Sequence, residues 1–343
     1  MRFDGGISMR ARLLLRTTAT AALITLAASG CARSGAQAGE QDKVLQYLVS
    51  PGAVNLAELA EGLGYFDTIR LEIVGNSVGG PESIQLAATG EIDFGISFQG
   101  AILKSHAKGV KVKAVVASSG TSGGNGLYGY VLEDSGIRSG RDLIGKKVAV
   151  NILGANLEFA TKAYLKQEGL TDDEIRTVSF ITLPASNYEQ GLRSRQVDLV
   201  LLSGINQEVA LSHGGIRELF AERDVVGEYV SNSFFFSEAY IRNNPDTVRE
   251  FTAGVARAIE WVRNTPLDEV KAKLAEILEK RGTKENTSLV RYFRKPGIAS
   301  EGGLLSEHDF QIVLDWLEAN GEIAKGAVNV RDVFTNEFNP YAD

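Results

Sequence analysis

Cysteine is nearly missing: the 343 residues contain one, Cys31, so no disulfide can form within the chain. Histidine is scarce as well. His106, His213 and His308 stand far apart, without carboxylates at ligand spacing, which argues against a zinc-type centre, so no metal or cofactor is expected. Basic charge is not in excess, with 36 Lys and Arg against 43 Asp and Glu and a net charge of −7. Such a chain lacks the basic face that nucleic acid requires, and it has no electrostatic pull toward anionic lipid. Long apolar runs are absent too. The run from Ala19 to Ala28 is well short of the ~20 residues a membrane span needs. No solenoid-type repeat is present, and no low-complexity tract lies beyond residue 39.

What is present begins at the N-terminus. Arg10, Arg12 and Arg16 precede the apolar run, and the small residues Ala28-Ser29-Gly30 precede Cys31. A positive region, an apolar region and small residues at a cut describe a secretory signal. The cysteine directly after them resembles the lipobox of bacterial lipoproteins, whose thiol is acylated and becomes the first mature residue. Ala28 stands where a lipobox usually carries Leu. Met9 is an alternative start, because Asp4 is unusual in a signal segment. Residues 1–30 are therefore expected to be a signal peptide, and residues 31–42 a lipidated flexible linker. Removing residues 1–30 takes away Arg2, Arg10, Arg12, Arg16 and Asp4 and leaves a more acidic body. A single acyl chain would hold such a body only marginally, so stable anchoring needs more than one.

From residue 43 strands and helices alternate. Val44–Val49 reads as a strand, Ser50-Pro51-Gly52 breaks it, and residues 55–63 read as a helix. The alternating Ile69-Arg70-Leu71-Glu72-Ile73-Val74 is a half-buried strand. Pro81 sits at a tolerated first-turn position of the next helix. A second series follows Gly129-Tyr130-Val131-Leu132 and includes the strand 147–151 and a helix from 157 to 168, stopped by Gly169. Three long amphipathic helices, 245–264, 267–281 and 306–320, close the chain. This predicts an α/β fold of two lobes, each a mainly parallel sheet flanked by helices, with a helical C-terminal segment. The chain should cross near 128–132 and 231–236, giving lobe I as 43–130 plus 234–343 and lobe II as 131–233.

Three segments carry a family resemblance. Gly79-Gly80-Pro81-Glu82-Ser83-Ile84-Gln85-Leu86 with Gly90-Glu91-Ile92-Asp93-Phe94-Gly95 resembles a signature of substrate-binding proteins of ABC importers, in the sulfonate, taurine, nitrate and thiamine-pyrimidine group. Arg141-Asp142-Leu143-Ile144-Gly145-Lys146-Lys147-Val148-Ala149 is similar to that group's second-lobe opening. Gly321-Glu322-Ile323-Ala324-Lys325-Gly326, with Asn329, Val330 and Phe334, resembles its C-terminal tail. Together they cover nearly all of residues 43–340. The resemblance implies a hinged type II periplasmic-binding fold that hands a small solute to a permease and ATPase. It further implies export, a lipid anchor on the outer face of the cytoplasmic membrane or its periplasmic side, and no catalysis. A monomer is expected. A fold-related pyrimidine-synthesis enzyme is disfavoured, since its cysteine-rich motif has no counterpart here.

In open α/β sheets ligands sit beyond the strand ends, where helix N-termini offer free N–H groups to anions. The small polar junctions there nominate Ser50, Gly52, Asn55, Gly80, Pro81, Ser97, Phe98, Gln99, Ser118, Ser119, Asn151, Gly154, Ala155, Asn156, Ser186, Ser203 and Asn206. Phe98, Tyr188 and Phe234 are candidates for an apolar wall, with core packing an equal reading for Phe234. None of these junctions carries Lys, Arg or His. Ser203-Gly204-Ile205-Asn206 replaces the Trp-Asp-Pro of taurine and sulfonate members, removing the partner of a ligand ammonium. The expected ligand is a small organic anion of sulfonate type, with a thiamine-pyrimidine precursor or aromatic compound as the alternative.

Overall fold

The computed structural model describes residues 41–281 and 285–342. Cys31, the signal segment and most of the expected linker lie outside the described residues. The first series runs β1 (Val44–Val49), α1 (Leu56–Gly62), β2 (Arg70–Asn76), α2 (Gly80–Thr89), β3 (Phe94–Phe98), α3 (Gln99–Ala107) and β4 (Val112–Gly120). The second runs β5 (Tyr128–Leu132), β6 (Lys147–Val150), α4 (Asn156–Gln167), α5 (Asp172–Arg176), β7 (Ser179–Thr182), α6 (Tyr188–Arg193), β8 (Val200–Leu202), α7 (Gly204–Ser212), β9 (Ile216–Ala221) and α8 (Glu222–Val226). The chain continues with β10 (Val230–Ser237), α9 (Glu238–Asn243), α10 (Pro245–Asn264), α11 (Leu267–Lys280), a 3₁₀ turn Thr287–Tyr292, α12 (Glu307–Ala319) and α13 (Val330–Val333).

The α/β architecture with helix-flanked sheets is as expected, but the strand directions are mixed rather than mainly parallel. β1–β2 and β6–β7 pair in parallel. β10 lies between β3 and β4 and runs antiparallel to both; β5 does the same between β8 and β9. The physical reason is the route of the chain. β5 and β10 do not enter their sheets through a strand–helix–strand crossover, the connection that obliges parallel pairing.

Buried side chains form four clusters. Two combine residues from Leu45–Ala117 with residues from Tyr229 onward, and one of these also takes in Phe159 of α4. The other two are built within Leu127–Phe220. The Phe234-Phe235-Phe236 run explains why β10 is central. All three rings are fully buried, and alternation sends Phe234 and Phe236 into one cluster and Phe235 into the other. Truncating one such ring costs about 3–5 kcal/mol. Phe94 packs against Tyr47 (5.1 Å between centroids) and Phe251 (4.7 Å), tying β3 to β1 and to α10. In α10, Val248, Phe251, Val255, Ile259 and Val262 recur at three- and four-residue spacing and are all buried, the stripe its sequence announced. Among the described residues no helix is long and apolar enough to cross a membrane.

Candidate functional site

A cavity of about 480 Å³ opens between the two groups of cores. Four helices begin on its wall: α2 at Gly80 and Pro81, α3 after Phe98, α4 after Ala155, and α7 after Ser203. None of the four carries a side-chain cap, whereas α1, α5 and α12 are capped by Asn55, Thr171 and Ser306. An uncapped N-terminus leaves N–H donors and the positive dipole end for water or a ligand. The backbone of α2 approaches closely because residue 80 is glycine. A Cβ there would lie 2.8 Å from the Ser97 Cα.

Ser50, Gly80, Pro81, Ser97, Phe98, Ser119, Asn151, Ala155, Asn156 and Ser203, all nominated from sequence, line this cavity. The rest of the nominated set does not. Gly52 sits in a turn and donates its N–H to Glu285 Oε2 at 2.6 Å. Asn55 caps α1 through Ala57 N and Glu58 N, and faces a second cavity. Gln99 is fully buried and donates to Val230 O and Ser233 Oγ, because it opens α3 on the sheet side. Ser118 lies on β4 away from the wall, and Gly154 gives its N–H to Glu158 Oε2 at 2.7 Å. Ser186 and Asn206 are exposed, in the turn before α6 and on the outer side of α7. Tyr188 and Phe234 belong to cores, leaving Phe98 as the aromatic wall.

The wall also includes residues the sequence did not nominate. Asn232 of β10 donates to Ser119 Oγ at 3.0 Å and to Ser231 Oγ at 3.1 Å. Asn151 donates to Val78 O at 3.1 Å, which leaves its buried Oδ1 without a hydrogen-bond partner. Glu222, at the start of α8, is 1% exposed. It accepts from Leu127 N (3.0 Å), Asn156 Nδ2 (2.9 Å) and Tyr229 OH (2.8 Å). Burial pushes its carboxyl above the usual range, against the lowering effect of those three bonds. Arg294, Lys295 and Pro296 arrive from the segment after the 3₁₀ turn, so the wall does carry cationic residues. Pro296-Gly297 was the one available signal, a turn marker beside two basic residues.

The second cavity, about 270 Å³, adjoins the first through Ser50, Gly80, Ile96 and Asn232. On its wall Tyr47 donates to Glu58 Oε1 at 2.8 Å, and the Arg281 guanidinium pairs with the same oxygen at 2.7 Å. Burial raises both the Tyr47 hydroxyl and the Glu58 carboxyl, with Arg281 pulling each back down.

Two Gly-x-Ser-x-Gly stretches, 75–79 and 120–124, invite comparison with a hydrolase nucleophile. Their serines meet no histidine base. Ser122 Oγ donates to Glu228 Oε2 at 3.1 Å, and Ser77 lines the second cavity, which has no histidine among its described lining residues. His106 bonds Val112 O and His213 bonds Glu189, each away from both cavities. Among the described residues no group of His, Cys, Asp and Glu is arranged to hold a metal ion.

The model of the NMT1/THI5-like family matches residues 58–269, more than half of the chain. The chain belongs to that family. No curated protein matches it by sequence. Among solved structures it is similar to the alkanesulfonate-binding protein SsuA of Xanthomonas axonopodis pv. citri bound to MOPS, at 17% identity and a TM-score of 0.66, covering 86% of this chain and 99% of that one. It is also similar to the periplasmic nitrate-binding protein NrtA of Synechocystis PCC 6803, at 13% identity and a TM-score of 0.65, over 86% and 87% of the two chains. The desulfurization enzyme DSZB is a further neighbour, at 16% identity and a TM-score of 0.57, over 87% and 97%. The fold is the type II periplasmic-binding fold.

Proposed function

We propose that this family member is the substrate-binding lipoprotein of an ABC importer, and that it captures a small organic anion of sulfonate type in the larger cavity. One observation carries the reading: four helix N-termini without side-chain caps converge on a wall of hydroxyls and amides. Such donors hold an oxyanion without forming a covalent bond to it, which suits capture and release better than bond cleavage. In this reading each group of cores is a lobe, one built from residues 43–117 with 229–342 and the other from residues 127–220. The connecting segments act as the hinge, and closure over the ligand prepares docking on the permease. Acylated Cys31 holds the monomer beside that permease on the outside of the cytoplasmic membrane.

A thiamine-pyrimidine precursor is the second reading, favoured by the family itself and by the aromatic Tyr47 and Phe94 walls of the adjoining cavity. Calorimetric titration separates the two. The expected result is micromolar binding of an alkanesulfonate with weaker binding of nitrate and pyrimidines. Micromolar nitrate or pyrimidine binding with no sulfonate binding would overturn the assignment.

A further inference from the structure

The described residues lining the larger cavity include two cations, Arg294 and Lys295, and they are not equivalent. Lys295 Nζ donates to Arg263 O at 2.8 Å and to Thr265 O at 3.4 Å, so its charge is committed to backbone carbonyls. Arg294 is held more loosely. Its side chain is 44% exposed, and Nη1 lies 3.3 Å from Glu208 Oε1. Glu208 is on α7, four residues along from Gly204, whose backbone lines the same cavity. At the rise of an α-helix that is about 6 Å. The ion pair therefore sits roughly one turn from a helix N-terminus that a bound anion would face.

An exposed ion pair of this kind contributes little to stability, so a competing anion displaces its carboxylate at small cost. The guanidinium is a planar fork of five donors that matches two oxygens of a sulfonate or carboxylate head. We propose that Arg294 is the counter-ion of the ligand's head group, and that Glu208 is a resident anion which keeps the guanidinium at the cavity until ligand replaces it. This rests on the anion-binding reading above and narrows it. One available guanidinium, already facing Glu208, fits a monoanion and disfavours a dianion such as a fully ionised alkylphosphonate.

The test is calorimetric titration of the full chain with propane-1-sulfonate, its neutral isostere propane-1-sulfonamide, and propylphosphonate at a pH above its second ionisation. Wild type should prefer the sulfonate over both. Arg294→Gln should weaken sulfonate binding by about tenfold or more while moving sulfonamide binding by less than about twofold, since a charged hydrogen bond is lost only with the anion. Glu208→Gln should strengthen sulfonate binding severalfold and leave the sulfonamide unchanged. Equal weakening of both ligands by Arg294→Gln would mean that Arg294 merely shapes the wall, and would overturn the assignment. Weaker sulfonate binding by Glu208→Gln would do the same, making the pair a clasp rather than a competitor. The Glu208 arm also decides the question if Arg294→Gln fails to fold. No sulfonate binding by wild type would overturn the functional reading itself. Binding that ignores both substitutions would overturn this inference alone.

Discussion

Asn156 donates its amide to Glu222 Oε1 at 2.9 Å, which joins the first turn of the cavity-lining α4 to the carboxylate that begins α8. The same carboxylate accepts from Leu127 N and Tyr229 OH. Both segments that link the two groups of cores, 118–126 and 221–228, are therefore bounded by one buried side chain.

Glu222→Gln should show a pH-dependent stability difference. Burial raises the folded-state pKa of Glu222 above its ordinary 4.5, so folding favours the protonated form there. That stabilisation is fully present below about pH 4.5 and is lost as pH rises through the folded value. Gln does not titrate, and it turns a donor toward Leu127 N–H at a cost of about 1–3 kcal/mol. Thermal melts of both proteins should show wild type leading most at low pH, with the gap narrowing as pH rises. A gap that is constant or widens with pH would count against a raised Glu222.

Gly80→Ala should damage binding more than its size suggests. The new methyl would press on the Ser97 side chain and lie 2.8 Å from its Cα, which is backbone and cannot rotate aside. The strain should lower stability by about 1–3 kcal/mol and shift α2 away from the cavity. Chemical denaturation reads the first effect and calorimetry with an alkanesulfonate the second. Unchanged affinity would remove the α2 N-terminus from the binding surface.

Cys31→Ser should free the protein from the membrane without harming capture. Acyl chains supply the attachment in this reading, and an acidic body gains nothing from anionic lipid. Fractionation of expressing cells should move the protein to the soluble exported fraction, with sulfonate affinity unchanged. Retention in the membrane fraction would refute the anchor.

Much of the fold was legible. The strand Val44–Val49 and the helix Pro245–Asn264 fall where periodicity put them, because each has one clear apolar face. β9 escaped notice because Arg217 and Glu218 interrupt its apolar residues and leave too short a pattern. The cavity lining was legible where small polar residues end or follow strands, as at Ser97 within β3 and Ser203 after β8. Asn55 faces the second cavity instead, and Asn55-Leu56-Ala57-Glu58 spells a capping box that commits its side chain to its own helix. Glu222 had no such signal, and Arg294 had only the Pro296-Gly297 turn marker beside it. They reach the wall through tertiary placement, from segments with no periodicity to point there.

β10 joins two regimes in one strand. Its Phe234-Phe235-Phe236 end is locked in the cores, while Ser231 and Asn232, only a few residues earlier, face the cavity. The polar groups on that wall are thus preorganised by a fully buried stretch of the same strand. Little conformational entropy remains for a ligand to remove there, and more of the contact free energy is left as affinity.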